Sequence, residues 1–185
     1  PVRTGKSTFI KRFMELVVIP EMSDDNEKVR TIDELPQSAD GKTIMTTEPK
    51  FIPKEAAVIH FSNQETGKIR LIDCVGYLVP EAVGAIEEEK ERMVKTPWSE
   101  EEIPFSKAAE IGTSKVIREH SNLGLIITTD GSFGDIAAAN FEEALQKTVM
   151  ECEKAGKPFL ILVNTSRPDS QETVQFTKRL EAQYG

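Results

Sequence analysis

The sequence predicts an α/β fold in which a mostly parallel sheet, with one antiparallel strand pair, is flanked by helices. Two apolar runs, residues 123–127 and 158–163, have the length and composition of buried strands, and segments of helical spacing precede and follow them. Strands that alternate with helices are typical of parallel sheets covered on both faces. Two further runs, 57–61 and 68–73, are separated by a polar loop that contains a glycine, which predicts the antiparallel pair.

The helices are predicted from apolar residues at helical spacing. The first runs from Phe9 to Val17 and is ended by Pro20, and a short helix precedes Pro36. Later helices are predicted at 105–117, 141–155 and 171–183. Residues 80–104 carry eight glutamates against three basic residues, so this segment is expected to be an acidic loop or a loosely helical insertion.

Length and composition indicate one soluble globular domain spanning residues 1–185. Hydrophobic residues make up 38% and charged residues 29% of the 185, which excludes disorder of the whole chain. The net charge of −8 argues against a nucleic-acid-coating role. Two cysteines are too few for a disulfide framework, which favours a cytoplasmic location, and no apolar run is long enough for a membrane helix.

The first seven residues, PVRTGKS, fit the last seven positions of the phosphate-loop pattern G-x-x-x-x-G-K-[ST]. We therefore expect the chain to begin inside this motif, with its first glycine and the preceding strand upstream. A phosphate needs converging backbone N–H groups, a helix N-terminus and a lysine, and a serine hydroxyl can hold Mg²⁺. The alternative is a chance G-K-S before an ordinary helix. The predicted nucleotide-binding residues here are Arg3, Thr4, Gly5, Lys6, Ser7 and Thr8.

A second motif ends the strand of residues 68–73 in Asp73-x-x-Gly76. The carboxylate of Asp73 is placed to hold Mg²⁺ through a water molecule, and the backbone N–H of Gly76 is placed to meet a γ-phosphate. The alternative is an ordinary strand followed by a turn. Between the two motifs, Thr46 and Thr47 are candidates for the threonine that binds Mg²⁺ and the γ-phosphate in nucleotide switches, and the choice between them stays open.

The expected base-binding segment follows the strand at 158–163. A guanine site uses Asn-Lys-x-Asp there, whereas this chain has Asn164, Thr165, Ser166 and Arg167. Arginine has no hydrogen-bond acceptor, so guanine recognition is predicted to be lost and ATP is favoured. Asp130 ends the strand at 123–127 on the ligand side of such a sheet, but turn residues are common at strand ends, so we leave it outside the predicted site.

Tyr77 stands directly after Gly76, where water-activating switches commonly have glutamine. A tyrosine orients water poorly. The sequence therefore predicts that hydrolysis is slow, or that it uses another residue or a neighbouring subunit.

Taken together, the motifs resemble those of the stage IV sporulation protein A family, the spore-coat morphogenetic ATPases of endospore-forming Firmicutes. The resemblance rests on VRTGKSTFIKRF (2–13), DELPQS (33–38), KTIMTTEPKF (42–51), DCVGY (73–77) and TPW (96–98). It spans nearly all 185 residues but only the family's N-terminal nucleotide-binding region. The family's middle and C-terminal regions are expected to be absent.

The resemblance implies a P-loop NTPase fold like that of the translation-factor-class (TRAFAC) GTPases, with ATP rather than GTP as the nucleotide. It implies that Lys6 is the Walker A lysine, Asp73 the Walker B acid, and Thr46 and Thr47 the sensor threonines of hydrolysis. The predicted Mg²⁺ ligands are Ser7, Thr46, Thr47 and Asp73. Asn164 is added to the predicted nucleotide-binding residues.

The resemblance also implies a cellular role. Family members hydrolyse ATP to reach a conformation that polymerises into the basement layer of the spore coat, on the forespore surface in the mother-cell cytoplasm. Their partners are further copies, other coat proteins and a small amphipathic membrane peptide, stage V sporulation protein M. That peptide contact is attributed to the family's C-terminal region, so this chain is expected to contact the membrane only indirectly. Two alternatives remain: a regulatory GTPase switch and a nucleotide-binding scaffold without significant hydrolysis.

Overall fold

The computed structural model describes residues 1–36, 48–60, 65–81, 86–87 and 90–185 as a mixed α/β structure with small sheets. These residues fall into two compact units. The larger unit contains Pro1–Thr4 and Val75–Gly185, and the smaller one contains residues 5–36 together with Pro49–Cys74. Within the described ranges, no helix has both the length and the apolar character needed to cross a membrane.

In the smaller unit, the two predicted helices are confirmed. Helix α1 (Lys6–Phe13) continues through a π-helical turn, Met14–Val18, and a 3₁₀ turn, Ile19–Glu21. Helix α2 (Asp25–Glu34) begins after Asp24, whose Oδ1 accepts hydrogen bonds from the backbone N–H groups of Asn26 (2.8 Å) and Glu27 (3.0 Å). This side-chain cap explains why α2 starts where it does.

The predicted antiparallel pair is also confirmed. Strand β1 (Lys50–His60) pairs with β2 (Thr66–Asp73), with an irregularity in register between Ile52 and Ala57. One face of this pair packs on α1 and its π-helical extension. The shared core contains Ile10, Met14, Val18, Met22, Ile52, Ala57 and Ile59.

The larger unit contains the predicted parallel strands, β7 (Gly124–Thr129) and β8 (Phe159–Asn164). Its helices are α3 (Phe105–Lys115), extended by a π-helical turn (Val116–His120); α4 (Glu142–Lys154), preceded by a 3₁₀ turn (Ala138–Phe141); and α5 (Gln171–Tyr184). One core cluster joins Ile126 to α4 and α5, and a second contains Val2, Tyr77, Val79, Ile136, Phe141 and Ala144.

The prediction of one mostly parallel sheet needs correction. The described strands form four two-stranded sheets, and only the β7–β8 pair is parallel. Local composition predicts which segments form strands, whereas the partner of each strand depends on contacts between segments that lie far apart in the chain. The sequence pattern therefore predicted the strands but not how they pair.

The acidic segment 80–104 also differs from the expected loop or loose helix. Strand β3 (Ile86–Glu87) pairs with β4 (Lys90–Glu91), and β5 (Met93–Thr96) forms a hairpin with β6 (Ser99–Pro104). Along β5 exposed Met93 and Lys95 alternate with the more buried Val94 and Thr96, the two-residue period of a half-buried strand. This period covers only four residues, and β6, with three consecutive exposed glutamates, does not continue it.

Candidate functional site

The smaller unit holds the glycine and helix N-terminus of the phosphate-loop motif. Gly5 has φ +88°, the left-handed conformation that glycine adopts at little cost, and it directly precedes α1. The N–H of Phe9 donates to the Gly5 carbonyl at 2.8 Å, which closes the first helical turn. No side chain caps this helix and no acid lies in its first turn, where exposed Thr8 is found. Such a helix start favours an anion.

Ser7 and Asp73, which are 66 residues apart in sequence, meet in the same unit. The Ser7 hydroxyl donates a hydrogen bond to Asp73 Oδ2 at 2.6 Å, in a partly buried setting. Adjacent oxygen ligands of an octahedral Mg²⁺ at about 2.1 Å lie about 3 Å apart. Two hard oxygen donors at this spacing therefore fit a shared magnesium ion, and the structure brings together these two predicted metal ligands.

Lys6, the first residue of α1, sits beside this pair. Burial lowers the pKa of its ammonium group, while the neighbouring Cys74 and Asp73 act in the opposite direction. A partly desolvated cation interacts more strongly with an incoming anion than a cation in bulk water does. These surroundings are compatible with the predicted role of Lys6 as a phosphate ligand, which remains a prediction.

The larger unit holds the other end of the motif, Pro1–Thr4. Thr4 is completely buried and its hydroxyl donates to the Pro1 carbonyl at 3.2 Å, so its side chain is used inside the loop and any contact with a phosphate must come from its backbone. Arg3 adopts φ +56° and is half-buried. The N–H of Val2 donates to the Tyr77 carbonyl at 3.1 Å, which ties this segment to the second motif.

Gly76 packs directly against Pro1 and has φ +85°. A Cβ atom at this position would lie 3.2 Å from the backbone carbon and oxygen of Pro1, so the Pro1 backbone would have to shift by a few tenths of an ångström. The positive φ and the tight contact both favour glycine. The motif is therefore built for a close approach of backbone at Gly76.

Tyr77, where a switch glutamine would stand, is buried in the core with Val2 and Val79. Burial raises the pKa of its hydroxyl, and the negative charges of Glu151 and Glu110 add to this effect. Its side chain thus serves packing. The sequence-based expectation that Tyr77 does not activate water remains a prediction.

Asn164 ends β8, and its side-chain amide donates to the Thr4 carbonyl at 3.1 Å. Its NH₂ group therefore supports the backbone of the phosphate-loop motif. Arg167, at the position of a guanine-reading aspartate, is exposed and pairs with exposed Glu172 at 3.3 Å. The segment predicted to bind the base thus has a cation at the position where a guanine site has a carboxylate.

Sequence reasoning left out Asp130, which the structure places at the centre of a hydrogen-bond network. Its Oδ2 accepts from the hydroxyls of Thr165 (2.6 Å) and Thr173 (2.8 Å), and its Oδ1 accepts from the Ser132 N–H (3.0 Å). Burial opposes ionisation, but the hydrogen bonds from Ser132, Thr165 and Thr173 outweigh it, so the pKa of Asp130 is well below its usual range. The available signal was an acid at the ligand-side end of a buried strand.

Thr46 and Thr47 lie outside the described residues, so their assignment to the switch and to Mg²⁺ remains a prediction. Among the residues that the structure does describe, no three His, Cys, Asp or Glu side chains form a metal-binding group.

Comparisons with known proteins place the chain in a family. A sequence model of the stage IV sporulation protein A ATPase domain matches residues 1–185. The chain is 55% identical over 183 residues to stage IV sporulation protein A of Bacillus subtilis (strain 168), and 48% identical over 184 residues to that of Clostridioides difficile (strain 630). These matches cover 99% and 100% of the chain but only 37% and 38% of the relatives. No solved structure matches the chain. The chain belongs to the stage IV sporulation protein A family and corresponds to its ATPase domain.

Proposed function

We propose that this chain binds ATP together with Mg²⁺ and hydrolyses it. The observation that carries the proposal is the 2.6 Å hydrogen bond between Ser7 and Asp73 next to Lys6. It unites the hydroxyl of the first phosphate motif with the carboxylate of the second, as Mg²⁺-dependent phosphoryl transfer requires. The family's description as an ATPase domain supports the same activity.

Each residue has a separate role in this proposal. Lys6 neutralises charge on the terminal phosphates, and the N–H of Gly76 binds the γ-phosphate. Ser7 and Asp73 hold Mg²⁺, which would neutralise charge that develops on the phosphate oxygens. Thr46 and Thr47 supply the switch hydroxyl and N–H.

The fold class proposed here is a P-loop NTPase of the TRAFAC type that selects adenine over guanine. The parallel pair β7–β8, with Asn164 at the end of β8, supports this class. Arg167 cannot accept hydrogen bonds from the guanine N1 and N2 groups, and its partner Glu172 is exposed. These features favour ATP over a regulatory GTPase switch.

At the cellular level, we propose that ATP hydrolysis drives self-assembly of the basement layer of the spore coat during sporulation. The names of the relatives supply the sporulation role, and the chain spans only 37–38% of their length. The proposed partners are further copies and other coat proteins, on the forespore surface in the mother-cell cytoplasm. Contact with the membrane would be indirect, through the small peptide stage V sporulation protein M.

A scaffold that binds nucleotide without significant hydrolysis is the second candidate, because Tyr77 is buried where other switches place a water-orienting glutamine. The two are separated in the full-length protein by the pair Thr46→Ala with Thr47→Ala. We expect this double variant to bind ATP as the wild type does and to lose hydrolysis. Normal hydrolysis by the double variant would refute the switch assignment. If the wild type binds ATP but does not hydrolyse it, the scaffold is correct.

A further inference from the structure

We propose that Asp130 is a positioning residue for the bound nucleotide. Its carboxylate fixes the loop that follows β8, and Asn164 at the start of that loop in turn holds the backbone of the Pro1–Thr4 segment. The inference rests on the proposed function, since the positioned ligand is the nucleotide. It adds a residue that the phosphate-loop and base-reading patterns do not contain.

The first step is the anchoring of two hydroxyls on one carboxylate oxygen. Thr165, in the loop, and Thr173, in the first turn of α5, both donate to Asp130 Oδ2, at 2.6 and 2.8 Å. Hydrogen bonds to a charged acceptor are shorter and stronger than those between neutral groups. The carboxylate therefore ties the loop to the start of α5.

The second step is the fixing of the following loop residues. The Ser166 N–H donates to Ser132 Oγ at 2.8 Å, and the Ser166 hydroxyl donates to the Ser132 carbonyl at 3.0 Å. The Arg167 N–H donates to Thr165 Oγ1 at 3.0 Å. Since Ser132 itself donates its N–H to Asp130, three consecutive loop residues depend on the same carboxylate.

The third step connects this loop to the phosphate motif. Asn164 directly precedes Thr165, and its amide donates to the Thr4 carbonyl at 3.1 Å. A loop held at Thr165 leaves Asn164 in position for that bond. Loss of the Asp130 charge should therefore loosen the backbone of Pro1–Thr4, although Asp130 does not touch it.

The carboxylate is not itself a reader of the base. A carboxylate has about four acceptor positions, and Thr165, Thr173 and Ser132 occupy three of them. The hydrogen bonds also keep the group ionised, because its pKa is well below the usual range. Asp130 thus acts through the loop, since at most one acceptor position is left and a guanine reader needs two, one for N1–H and one for the N2 amino group.

The test measures ATP affinity and steady-state hydrolysis of the full-length protein with the variants Asp130→Asn, Thr165→Val and Thr165→Ser. Asparagine replaces one acceptor oxygen with a donor, and valine removes the hydroxyl at nearly constant volume. Serine retains the hydroxyl. Asp24→Asn is the matched control, because Asp24 also accepts two backbone hydrogen bonds, but it caps α2 in the other unit.

We expect Asp130→Asn and Thr165→Val each to weaken ATP binding by about tenfold, the scale of one charged hydrogen bond. In steady-state hydrolysis the weaker binding should appear as a higher KM for ATP, with kcat unchanged. Thr165→Ser and Asp24→Asn should bind like the wild type. The Asp130→Asn/Thr165→Val double variant should bind ATP as tightly as the single variant with the lower affinity, because both changes disable one network.

Wild-type ATP affinity in Asp130→Asn would overturn the inference even if its melting temperature falls, since that would show a purely structural role. If Asp130→Asn fails to fold, Thr165→Val decides, and wild-type affinity in that variant is equally contrary. A loss of kcat at constant KM, or an equal loss in Asp24→Asn, also overturns it. Lys6→Ala distinguishes failure of the proposed function from failure of the inference about Asp130. If the wild type binds ATP no better than Lys6→Ala, the proposed function fails and the inference fails with it.

Discussion

The hydroxyl of Ser7 donates a 2.6 Å hydrogen bond to Asp73 Oδ2, and this contact joins the start of α1 to the end of β2. Both groups are hard oxygen donors of the kind that Mg²⁺ prefers. Under the proposed function these two side chains would hold Mg²⁺, which would supply positive charge against the phosphate oxygens.

Ser7→Ala and Asp73→Asn should each lower Mg²⁺-dependent ATP turnover by about 100-fold, since a metal contributes several kcal/mol to charge stabilisation. Ser7→Thr retains the hydroxyl and should stay within a few-fold of the wild type. The measurement is phosphate release against Mg²⁺ concentration. Wild-type turnover by Ser7→Ala at every Mg²⁺ concentration would remove Ser7 from the metal site.

Gly76→Ala should destabilise the fold by about 2–3 kcal/mol, because it adds left-handed strain and also a close contact with the Pro1 backbone. Gly156→Ala is its matched control: φ is +63° there, but no atom lies within 4 Å of the position that an added Cβ would take, so strain alone should cost about 1 kcal/mol. Chemical denaturation of both variants measures the difference. An equal loss of unfolding free energy in the two variants would show that the approach of Gly76 to Pro1 is not tight in solution.

Lys6→Met should abolish ATP binding yet raise the melting temperature by about 2–4 °C, the shift that about 1 kcal/mol produces in a domain of this size. The wild type bears the cost of a buried ammonium group, whose pKa is lower in the folded chain than the 10.5 of the unfolded one. Between these two values the unfolded chain binds more protons, so wild-type stability rises with pH there and the advantage of the variant shrinks.

Lys178→Met is the control for Lys6→Met, because Lys178 is exposed on α5. Its melting temperature should stay close to that of the wild type. A lower melting temperature for Lys6→Met than for Lys178→Met would contradict the idea that burial of Lys6 is costly.

Arg167→Asp should move nucleotide preference toward GTP by about tenfold, since a carboxylate at this position can accept from guanine N1 and N2. The change also removes the exposed pair with Glu172, which contributes little to stability. Glu172→Gln removes the same pair without adding an acceptor and should leave the preference unchanged. Competition between labelled ATP and GTP gives the ratio, and an unchanged ratio in Arg167→Asp would mean that this loop does not read the base.

Local patterns in the sequence predicted much of the fold. Glycine followed by lysine and serine before a periodic apolar run predicted α1, and two apolar runs around a polar loop predicted β1 and β2. The hairpin of β5 and β6 was missed because its alternation is short and its exposed face is glutamate-rich. Strand pairing was also mispredicted, because local patterns show which segments are strands but not which strands lie side by side.

The candidate site was predictable where one motif carries the chemistry, as at Lys6 and Asp73. Asp130 was considered from its place at a strand end but was left out, because its partners Thr165 and Thr173 lie 35 and 43 residues away and hydroxyl side chains have no distinctive spacing. Its importance exists only in the folded network. Asn164 was in the predicted nucleotide-binding set, but its contact with Thr4, which spans 160 residues, could not be predicted from the sequence.

The proposed Mg²⁺-dependent ATPase activity is tested by measuring phosphate release from the full-length protein in Mg²⁺, with ATP and with GTP, in parallel with Lys6→Ala. We expect turnover of ATP well above that of GTP, and none above background in Lys6→Ala. Equal or faster turnover of GTP, or ATP turnover that survives in Lys6→Ala, would contradict it.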